Sequence, residues 1–381
     1  MIRTAIIGLG KVAETIHLPA VDSVHELKLI AASDPRPERL VQVRHEWKVP
    51  GLYENSVEML AKEQPDLVII GTPPDSHKEL CIAALRQGCD VLCEKPFVLT
   101  IEEADEVLAE AKRHNRMVAV NTQYRHMNMY RTAREKIESN EYGRLFFMHV
   151  WQQMFHPPAF EGHSWRSQLK QSTLYEFGSH PLDLICHMMG DLPESVTCHT
   201  PRVRPEFDSD VLVQMTLRFP DERLATMALN RVSHAPERYL EMRLDCENAS
   251  MRASLGGVAK CQLEMTRANG RSMPSARLSV VKGGELRVES GGKSTLLASE
   301  PRPAFAKATA DNLRQLIEHR KSCRRPQKSA EHARDILRII FAGYKSAQQG
   351  TTVKIDYEHP PEVIDTMPCT KTSVSMHAQS F

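Results

Sequence analysis

The first 120 or so residues alternate short apolar runs with amphipathic segments. The apolar runs are typical of strands covered on both faces, and they lie at Thr4–Ile7, Leu27–Ala32, Asp66–Ile70, Val91–Cys93 and Met117–Val120. Helical periodicity separates them, at 12–24, 37–47, 79–87 and 101–115. Strands that alternate with helices at this spacing predict an α/β fold with a doubly wound parallel sheet of the Rossmann type.

The pattern changes after residue 121. Strand-like runs then dominate, at 144–154, 194–200, 210–219, 223–232 and 238–245. Helices are predicted between or after them, at about 128–139, 178–189, 304–320 and 329–348. We therefore expect a first domain at 1–121 and a second, α+β domain with a large, mostly antiparallel open sheet at 122–358. The polar, non-periodic segment 359–381 is predicted to be a loose tail.

Composition narrows the function classes. The 49 basic and 48 acidic side chains nearly cancel, which argues against a protein that neutralises nucleic-acid phosphates. No apolar run approaches the roughly 20 residues of a membrane helix, and no signal-peptide pattern is present. We expect a cytoplasmic protein with neither nucleic-acid nor membrane partners. The nine cysteines are scattered without a C-x-x-C pair, which favours reduced thiols over disulfides or a zinc knuckle.

A glycine-rich turn follows the first predicted strand and opens a helix. Gly8-Leu-Gly10-Lys-Val-Ala13 has the form G-x-G-x-x-A, the dinucleotide-binding fingerprint in its required context. Gly8 permits the tight turn, Gly10 lets the backbone approach a pyrophosphate, and Ala13 allows close helix–strand packing. The helix N-terminus offers amides and a partial positive charge to the phosphates. The alternative is an ordinary turn between a strand and a helix.

An aspartate ends the second predicted strand. The Asp34 carboxylate can accept hydrogen bonds from both hydroxyls of an adenosine ribose, which favours NAD. Arg36 follows two residues later and can accommodate a 2′-phosphate, so NADP is not excluded. The alternative is that Asp34 serves only as a turn residue before Pro35.

Further polar residues follow the next two strands. Thr72, Pro73 and His77 come after the third strand, and Glu94 and Lys95 after the fourth. They are therefore expected at the carboxyl edge, where such sheets bind ligands. Lys95 can hydrogen-bond a substrate hydroxyl and stabilise the alkoxide as a hydride leaves. The alternative is a surface lysine paired with Glu94.

Eight short segments, taken in their order along the chain, resemble the sequence motifs of one protein family. They are Gly8–Ala13, Ile16–Ala20, Asp34–Arg39, Thr72–His77, Val91–Pro96, Gln123–Arg125, Gly178–Asp183 and Tyr344–Gly350. Over about residues 1–356 the chain is similar to the glucose–fructose oxidoreductase / inositol dehydrogenase (Gfo/Idh/MocA) family. The resemblance implies a Rossmann domain, then an α/β domain whose open sheet commonly mediates dimers or tetramers, with the Lys-Pro unit facing the nicotinamide. The expected cofactor-binding residues are Gly8, Gly10, Lys11, Val12, Ala13, Asp34, Arg36, Thr72, Pro73, His77, Glu94, Lys95 and Gln123.

Members of this family typically carry Asp-x-Gly-x-His-x-x-Asp near the middle of the chain. The corresponding residues here are Glu176-Phe-Gly-Ser-His180-Pro-Leu-Asp183. His180 falls on the usual general acid/base, a task that suits an imidazole because its ordinary pKa is near neutrality. Glu176 is longer by one methylene, about 1.5 Å. Bulkier residues at 171–174 replace the usual glycine pair, which indicates an atypical substrate.

The same predicted helix carries three residues of types that can bind a metal. His180, Asp183 and His187 fall at i, i+3 and i+7 on one face, and such a face can bind zinc. Because no fourth ligand is identified, we predict no metal. His187 is interpreted as a packed or capping residue and Asp183 as an anchor at the domain interface.

These residues together predict an oxidoreductase. Hydride would pass between a carbinol carbon of a sugar, cyclitol or related polyhydroxy compound and NAD(P), with His180 taking the hydroxyl proton, Lys95 polarising the oxygen and Glu176 tuning either group. The expected substrate-binding residues are Lys95, Tyr124, Arg125, Trp165, Arg166, Glu176 and His180.

Two other functions stay open. One is an enzyme that retains NAD and cleaves glycosidic bonds through transient oxidation. The other is a non-catalytic, dinucleotide-binding regulatory protein. In each case the resemblance implies a homodimer or homotetramer formed through the C-terminal sheet.

Overall fold

The computed structural model describes most of the chain. The described residues are 1–157, 165–234, 238–256, 258–259, 263–268, 271–276, 280–281, 283–300, 304–322 and 329–359. The tail predicted at 359–381 lies outside them from residue 360 onward.

Six parallel strands form the first sheet. They are β1 (Ile2–Ile7), β2 (Leu27–Ser33), β3 (Gly51–Tyr53), β4 (Leu67–Ile70), β5 (Asp90–Cys93) and β6 (Val118–Val120). Their order is β3-β2-β1-β4-β5-β6, so the predicted doubly wound sheet is confirmed. All four residues of β4 are buried, which explains its uninterrupted apolar sequence.

Helices connect these strands. A π-helical turn (Ala13–His17) continues into α1 (Leu18–Asp22), and α2 (Pro37–Trp47), α3 (Ser56–Glu63), α4 (His77–Arg86) and α5 (Ile101–Arg113) follow. Thr100 accepts a hydrogen bond from the Glu103 amide, and the Glu103 carboxylate accepts one from the Leu99 amide, so side chains cap the start of α5. The sequence pattern missed β3 and α3, since β3 has only three half-buried residues.

The second half of the chain forms a larger sheet after α6 (Asn128–Glu138). Its nine described strands are β7 (Leu145–Gln153), β8 (Ser195–His199), β9 (Leu212–Arg218), β10 (Leu224–Asn230), β11 (Leu240–Cys246), β12 (Ser250–Leu255), β17 (Gly284–Ser290), β18 (Lys293–Glu300) and β19 (Val353–Lys354). Their order is β18-β17-β12-β11-β7-β10-β9-β8-β19. Every neighbouring pair is antiparallel except β7 with β10, which confirms the mostly antiparallel sheet.

Four short strands form two separate antiparallel ladders. They are β13 (Val258–Ala259), which pairs with β16 (Val280–Val281), and β14 (Leu263–Ala268), which pairs with β15 (Arg271–Ala276).

Three further helices follow in the second half of the chain. They are α7 (Ser179–Met189), which follows a π-helical turn (Thr173–Phe177), α8 (Phe305–Lys321) and α9 (Ser329–Gln349). Of these, α7 and α9 pack against the large sheet and α8 packs against α1. Leu313 and Ile317 of α8 belong to the same apolar core as Leu18 of α1, so the chain returns to the first sheet after β18 and adds β19 to the second sheet afterwards. The limits 1–121 and 122–358 stay a prediction.

Among the described residues no helix is both long and apolar enough to cross a bilayer. The six described cysteines, Cys81, Cys89, Cys93, Cys186, Cys198 and Cys246, are buried and free. The other three lie outside the residues whose side chains are described.

Candidate active site

The glycine-rich turn leaves room for a phosphate. Gly8 has φ +89°, and a Cβ at this position would lie 2.7 Å from Thr72 Cγ2 and 2.9 Å from the Thr72 amide nitrogen, so only glycine fits. A Cβ at Gly10 would meet nothing within 4 Å, which places open space in front of this backbone. Ala13 is fully buried, as close helix–strand packing requires. The turn therefore fits the pyrophosphate of a dinucleotide.

Asp34 lies beside this turn and is held by protein donors. Its Oδ2 accepts hydrogen bonds from the Leu9 amide at 2.8 Å and from Arg36 Nη2 at 2.9 Å. Its Oδ1 accepts from the Arg36 amide at 3.0 Å and from Arg36 Nε at 2.8 Å. Burial opposes ionisation, but the hydrogen bonds from Arg36 and Leu9 outweigh it and lower the pKa of Asp34. Asp34 is therefore a buried, ionised carboxylate and more than a turn residue.

Glu94 fixes the loop that carries Lys95. Glu94 Oε1 lies 2.9 Å from His17 Nε2 and accepts a hydrogen bond from Asn121 Nδ2 at 2.7 Å. Its Oε2 accepts from the Lys95 amide at 3.2 Å. Burial alone would raise the pKa of Glu94, but His17 and Asn121 lower it to about 2. Asn121 also donates to Thr309 Oγ1 of α8 at 3.2 Å, so this buried polar group joins the sheet to α8.

The Lys95 side chain crosses to the second half of the chain. Its Nζ donates to the carbonyl oxygen of Glu176 at 3.2 Å and lies 3.4 Å from Glu176 Oε1. The side chain is 19% exposed. The alternative of a surface lysine paired with Glu94 is therefore not what the structure contains.

Glu176 is surrounded by three cationic side chains. Besides Lys95, Arg166 Nε lies 3.3 Å from Glu176 Oε1 and Arg231 Nη1 lies 3.8 Å from Oε2. Burial alone would raise the pKa of Glu176, but the three cations lower it to about 2. Arg231 follows β10, is 2% exposed and also donates to Ser172 Oγ. Sequence reasoning missed Arg231, because a single arginine after a strand carries no distinguishing pattern.

Asp210 holds the start of the π-helical turn that carries Glu176 in place through hydrogen bonds. Its carboxylate accepts hydrogen bonds from the Thr173 amide at 2.9 Å and the Leu174 amide at 3.0 Å, and from the Tyr344 hydroxyl at 2.9 Å. A Cβ at Gly178 would lie 2.5 Å from the Leu174 carbonyl oxygen, so the turn can pass into α7 only through glycine. These contacts fix Glu176 and the first residues of α7 relative to each other.

His180 lies in the first turn of α7 and is buried. Its ring stacks on Tyr124, with centroids 4.0 Å apart and 5° between the planes, and Tyr124 in turn stacks on Phe305. His180 Nδ1 has no hydrogen-bond partner among the described residues. Burial, followed by the positive charge of Lys95, lowers the pKa of His180 to about 3. The imidazole is therefore neutral near pH 7.

Lys95 and His180 line one small cavity. Thr122 and Ser179 also line it, and α9 closes its other side. Two residues far apart along the chain therefore meet beside the carboxyl edge of the first sheet. This is the juxtaposition on which the predicted chemistry depends.

Asp183 is an anchor in this structure. Arg125 Nε and Nη2 donate to its two oxygens at 2.7 and 2.6 Å, and His332 Nε2 of α9 lies 3.3 Å away. Burial opposes ionisation, yet Arg125 and His332 hold the pKa of Asp183 well below its usual range. Arg125 and His187 also line one groove. Within the described part of the chain, no group of three or more His, Cys, Asp or Glu side chains could hold a metal ion.

The remaining predicted residues occupy different positions. His77 is fully buried, and its ring nitrogens lie 2.9 Å from the carbonyl oxygens of Phe97 and Thr72, so it ties two edge loops together. Gln123 is buried and its Oε1 has no partner among the described residues. Arg166 lies over the ring of Trp165, with its Cζ 4.5 Å from the centroid. Lys11 is exposed beside the glycine turn, whereas Val12 and Pro73 are half-buried.

Two family descriptions match this chain. "Oxidoreductase family, NAD-binding Rossmann fold" covers residues 2–122, and "GFO/IDH/MocA C-terminal domain" covers 130–252. The chain belongs to the Gfo/Idh/MocA oxidoreductase family. The predicted family, fold class, oxidoreductase type and NAD-binding domain are thereby confirmed.

Relatives in this Gfo/Idh/MocA family include named dehydrogenases. The chain is 25% identical to D-apiose dehydrogenase of Paraburkholderia graminis, covering 93% of this chain and 89% of that protein. It is 22% identical to myo-inositol 2-dehydrogenase of Thermotoga maritima, covering 93% and 98%. With an uncharacterized oxidoreductase of Schizosaccharomyces pombe it shares 28% identity, but the match spans only 58% of this chain and 61% of that protein.

A solved structure shows the same fold. The chain superposes with a TM-score of 0.77 on an oxidoreductase from Agrobacterium radiobacter in complex with NAD+, L-tartaric acid and magnesium. The identity is 18%, and the match covers 93% of this chain and 98% of that one.

Proposed function

We propose that this chain oxidises a carbinol of a sugar, cyclitol or related polyhydroxy compound, or catalyses the reverse reduction, with NAD as hydride carrier. The observation that carries the proposal is that Lys95, at the carboxyl edge of the first sheet, contacts Glu176 and lines one cavity with His180. The named relatives act on D-apiose and myo-inositol, which supports a polyhydroxy substrate. Bound nicotinamide would supply the hydride acceptor.

In this proposal the residues that hold the dinucleotide come from the carboxyl edge of the first sheet. Gly8, Gly10, Lys11, Val12 and Ala13 would hold the pyrophosphate. Asp34 and Arg36 would face the adenosine ribose, and Thr72, Pro73, Glu94, Lys95 and Gln123 would face the nicotinamide side. Because His77 is buried between two edge loops, its role would be to position those loops.

Lys95 would act on the substrate oxygen. Its ammonium donates a hydrogen bond to the hydroxyl and stabilises the negative charge that develops as the carbon loses hydride. His180 would take the hydroxyl proton, since a neutral imidazole has a free lone pair. The carbinol thus loses a hydride and a proton and becomes a carbonyl. Glu176 would orient the Lys95 side chain. Trp165, Arg166, Tyr124 and Arg125 would shape or support the substrate side.

The assembly is also a proposal. The outer face of the large sheet exposes Trp151, Leu224 and Leu296, and apolar groups on an open sheet face support association between copies of this chain. The state would be a homodimer or homotetramer.

The test uses the purified protein with NAD+ or NADP+ and a panel that contains myo-inositol, D-apiose and methyl glucosides. We expect reduced nicotinamide to accumulate with at least one member, and to be lost in Lys95→Met while NAD+ binding persists. No reduction with either cofactor across the panel contradicts the proposal. Sugar release without net NADH would instead indicate the NAD-retaining glycosidase, and dinucleotide binding without turnover would indicate the regulatory protein.

A further inference from the structure

Helix α8 reaches both halves of the candidate active site. Its residues Phe305, Thr309 and Asn312 are spaced at i, i+4 and i+7 and therefore lie on one face of the helix. Thr309 and Asn312 are buried, and Phe305 is half-buried. The eight family segments all lie elsewhere in the chain, so the sequence motifs assign this face no role.

One contact of this face leads to Lys95. Asn121 Nδ2 donates to Glu94 Oε1 at 2.7 Å and to Thr309 Oγ1 at 3.2 Å. Asn312 Nδ2 donates to Asn121 Oδ1 at 3.2 Å. The Asn121 amide is therefore held at both ends by α8, with its NH2 group directed at the Glu94 carboxylate. Because Glu94 Oε2 accepts from the Lys95 amide at 3.2 Å, α8 supports the backbone that carries the lysine.

A second contact of the same face leads to His180. The Phe305 ring stacks on Tyr124, with centroids 5.5 Å apart and 29° between the planes. Tyr124 also stacks on His180, with centroids 4.0 Å apart and 5° between the planes. Tyr124 and His180 are both buried. A shift of Phe305 would therefore change the packing that supports the imidazole.

Helix α8 is itself fixed against the first sheet. Leu313 and Ile317 pack in one apolar core with Leu18 of α1. Near the other end of the helix, Arg320 Nη2 donates to Asp66 Oδ1 at 3.2 Å. A helix attached along its length is a stiff support for groups that it contacts one turn apart. Such a support matters here because small displacements of reacting groups lower a rate strongly.

From these contacts we propose that one face of α8 is a positioning element that sets Lys95 and His180 relative to each other. Thr309 acts on the lysine through the buried amide and carboxylate, and Phe305 acts on the imidazole through the stacked tyrosine. Both are positioning residues, because each acts through other side chains. This inference rests on the proposed function, since it concerns the reacting groups of that same site.

Replacement of Thr309 tests the lysine side. Thr309→Val keeps the shape of the side chain but removes the hydroxyl that pairs with Asn121. With a panel compound that the native chain oxidises, we expect kcat to fall about tenfold or more, while KM stays within about twofold. Thr309→Ser keeps the hydroxyl and should retain most of kcat. Ile317→Val, which trims a buried side chain of the same helix, is the matched control and should leave kcat unchanged.

NMR tests both sides without a substrate. The Cε1 proton of His180, assigned by its loss in His180→Gln, is sensitive to the ring that stacks on it. Phe305→Leu keeps an apolar side chain but removes the aromatic ring, and we expect this signal to move. Phe305→Tyr keeps a ring and should return it close to its native position. The side-chain amide signals of Asn121 should likewise move in Thr309→Val but not in Ile317→Val.

Three results would overturn the inference. The first is an unchanged kcat in Thr309→Val, and the second is an unmoved His180 signal in Phe305→Leu. The third is a loss of kcat that follows the loss of melting temperature equally in Thr309→Val and Ile317→Val, which would make α8 a structural support only. If the native chain oxidises no compound of the panel, the proposed function fails. The NMR signals then still decide whether α8 holds the two groups.

Discussion

Lys95 Nζ lies 3.4 Å from Glu176 Oε1, although 81 positions separate the two residues along the chain. The pair joins the carboxyl edge of the Rossmann sheet to the π-helical turn that leads into His180. Glu94 holds the Lys95 backbone on one side, and Arg166 and Arg231 hold the Glu176 carboxylate on the other. The direction of the lysine side chain is therefore set by groups from both halves of the chain.

Removal of the Lys95 charge should abolish most of the turnover. Lys95→Met keeps the length of the side chain but leaves no donor for the substrate oxygen, and we expect kcat to fall about 100- to 1,000-fold. The measurement is NADH formation at saturating substrate, together with the dissociation constant for NAD+, which should change little. Lys62→Met, on the exposed face of α3, is the matched control. An unchanged kcat in Lys95→Met would remove this lysine from the mechanism.

Glu176 should respond differently to two conservative changes. Glu176→Gln leaves the buried Arg231 and the half-buried Lys95 and Arg166 without this carboxylate, and we expect a loss of about 3–5 kcal/mol in the free energy of unfolding. Glu176→Asp keeps the charge and should cost less stability, while the shorter reach weakens the contact with Lys95 and lowers kcat.

Urea unfolding and steady-state kinetics separate these two effects. Glu79→Gln, on the exposed face of α4, is the control. Equal stability of Glu176→Gln and the native chain would show that the three cations do not depend on this carboxylate.

The local parts of this architecture could be predicted from the sequence. Gly8, Gly10 and Asp34 are placed by a strand, a turn and a helix that are contiguous in the chain, so periodicity and turn chemistry locate them. Lys95 and His180 could be paired only through the ordered family motifs. Periodicity within either segment says nothing about the other.

Other parts depend on packing between distant segments. Arg231 reaches Glu176 because β10 lies between β7 and β9, an arrangement with one parallel pair that alternating strands alone do not reveal. The same holds for Asp210, which approaches the π-helical turn from a loop before β9. The Asp34–Arg36 contact is local, yet the sequence could not tell whether the guanidinium covers the carboxylate or leaves it free.

The rate of alcohol oxidation should not show the fall near pH 6.5 that protonation of an ordinary histidine base would cause. His180 has a pKa of about 3, lowered by burial and then by Lys95, so its neutral, proton-accepting form persists far below the ordinary value of about 6.5. We expect kcat/KM to stay nearly flat as the pH falls from about 7 to about 5, until the chain itself loses stability.

The Lys95→Met variant tests the cause of this shift. Without the lysine charge the pKa of His180 should rise toward its ordinary value. The residual activity of Lys95→Met should then decline at a higher pH than the activity of the native enzyme. A native rate that drops about threefold between pH 7 and pH 6 would mean that His180 titrates near its ordinary pKa, and that burial and Lys95 do not lower it.

Replacement of Asp210 should lower both the stability of the chain and its turnover, without changing the glycine-rich turn. Asp210→Asn replaces one acceptor oxygen with an amide, so at least one of the Thr173 amide, the Leu174 amide and the Tyr344 hydroxyl loses its partner. We expect the free energy of unfolding to fall by about 1–3 kcal/mol. Turnover should also fall, because the π-helical turn orients Glu176 and His180, while NAD+ affinity stays constant.

Asp208→Asn, which changes an exposed aspartate of the same loop, is the control. If Asp210→Asn matched that control in thermal melting and in kcat, the turn would be held by its packing and not by this carboxylate.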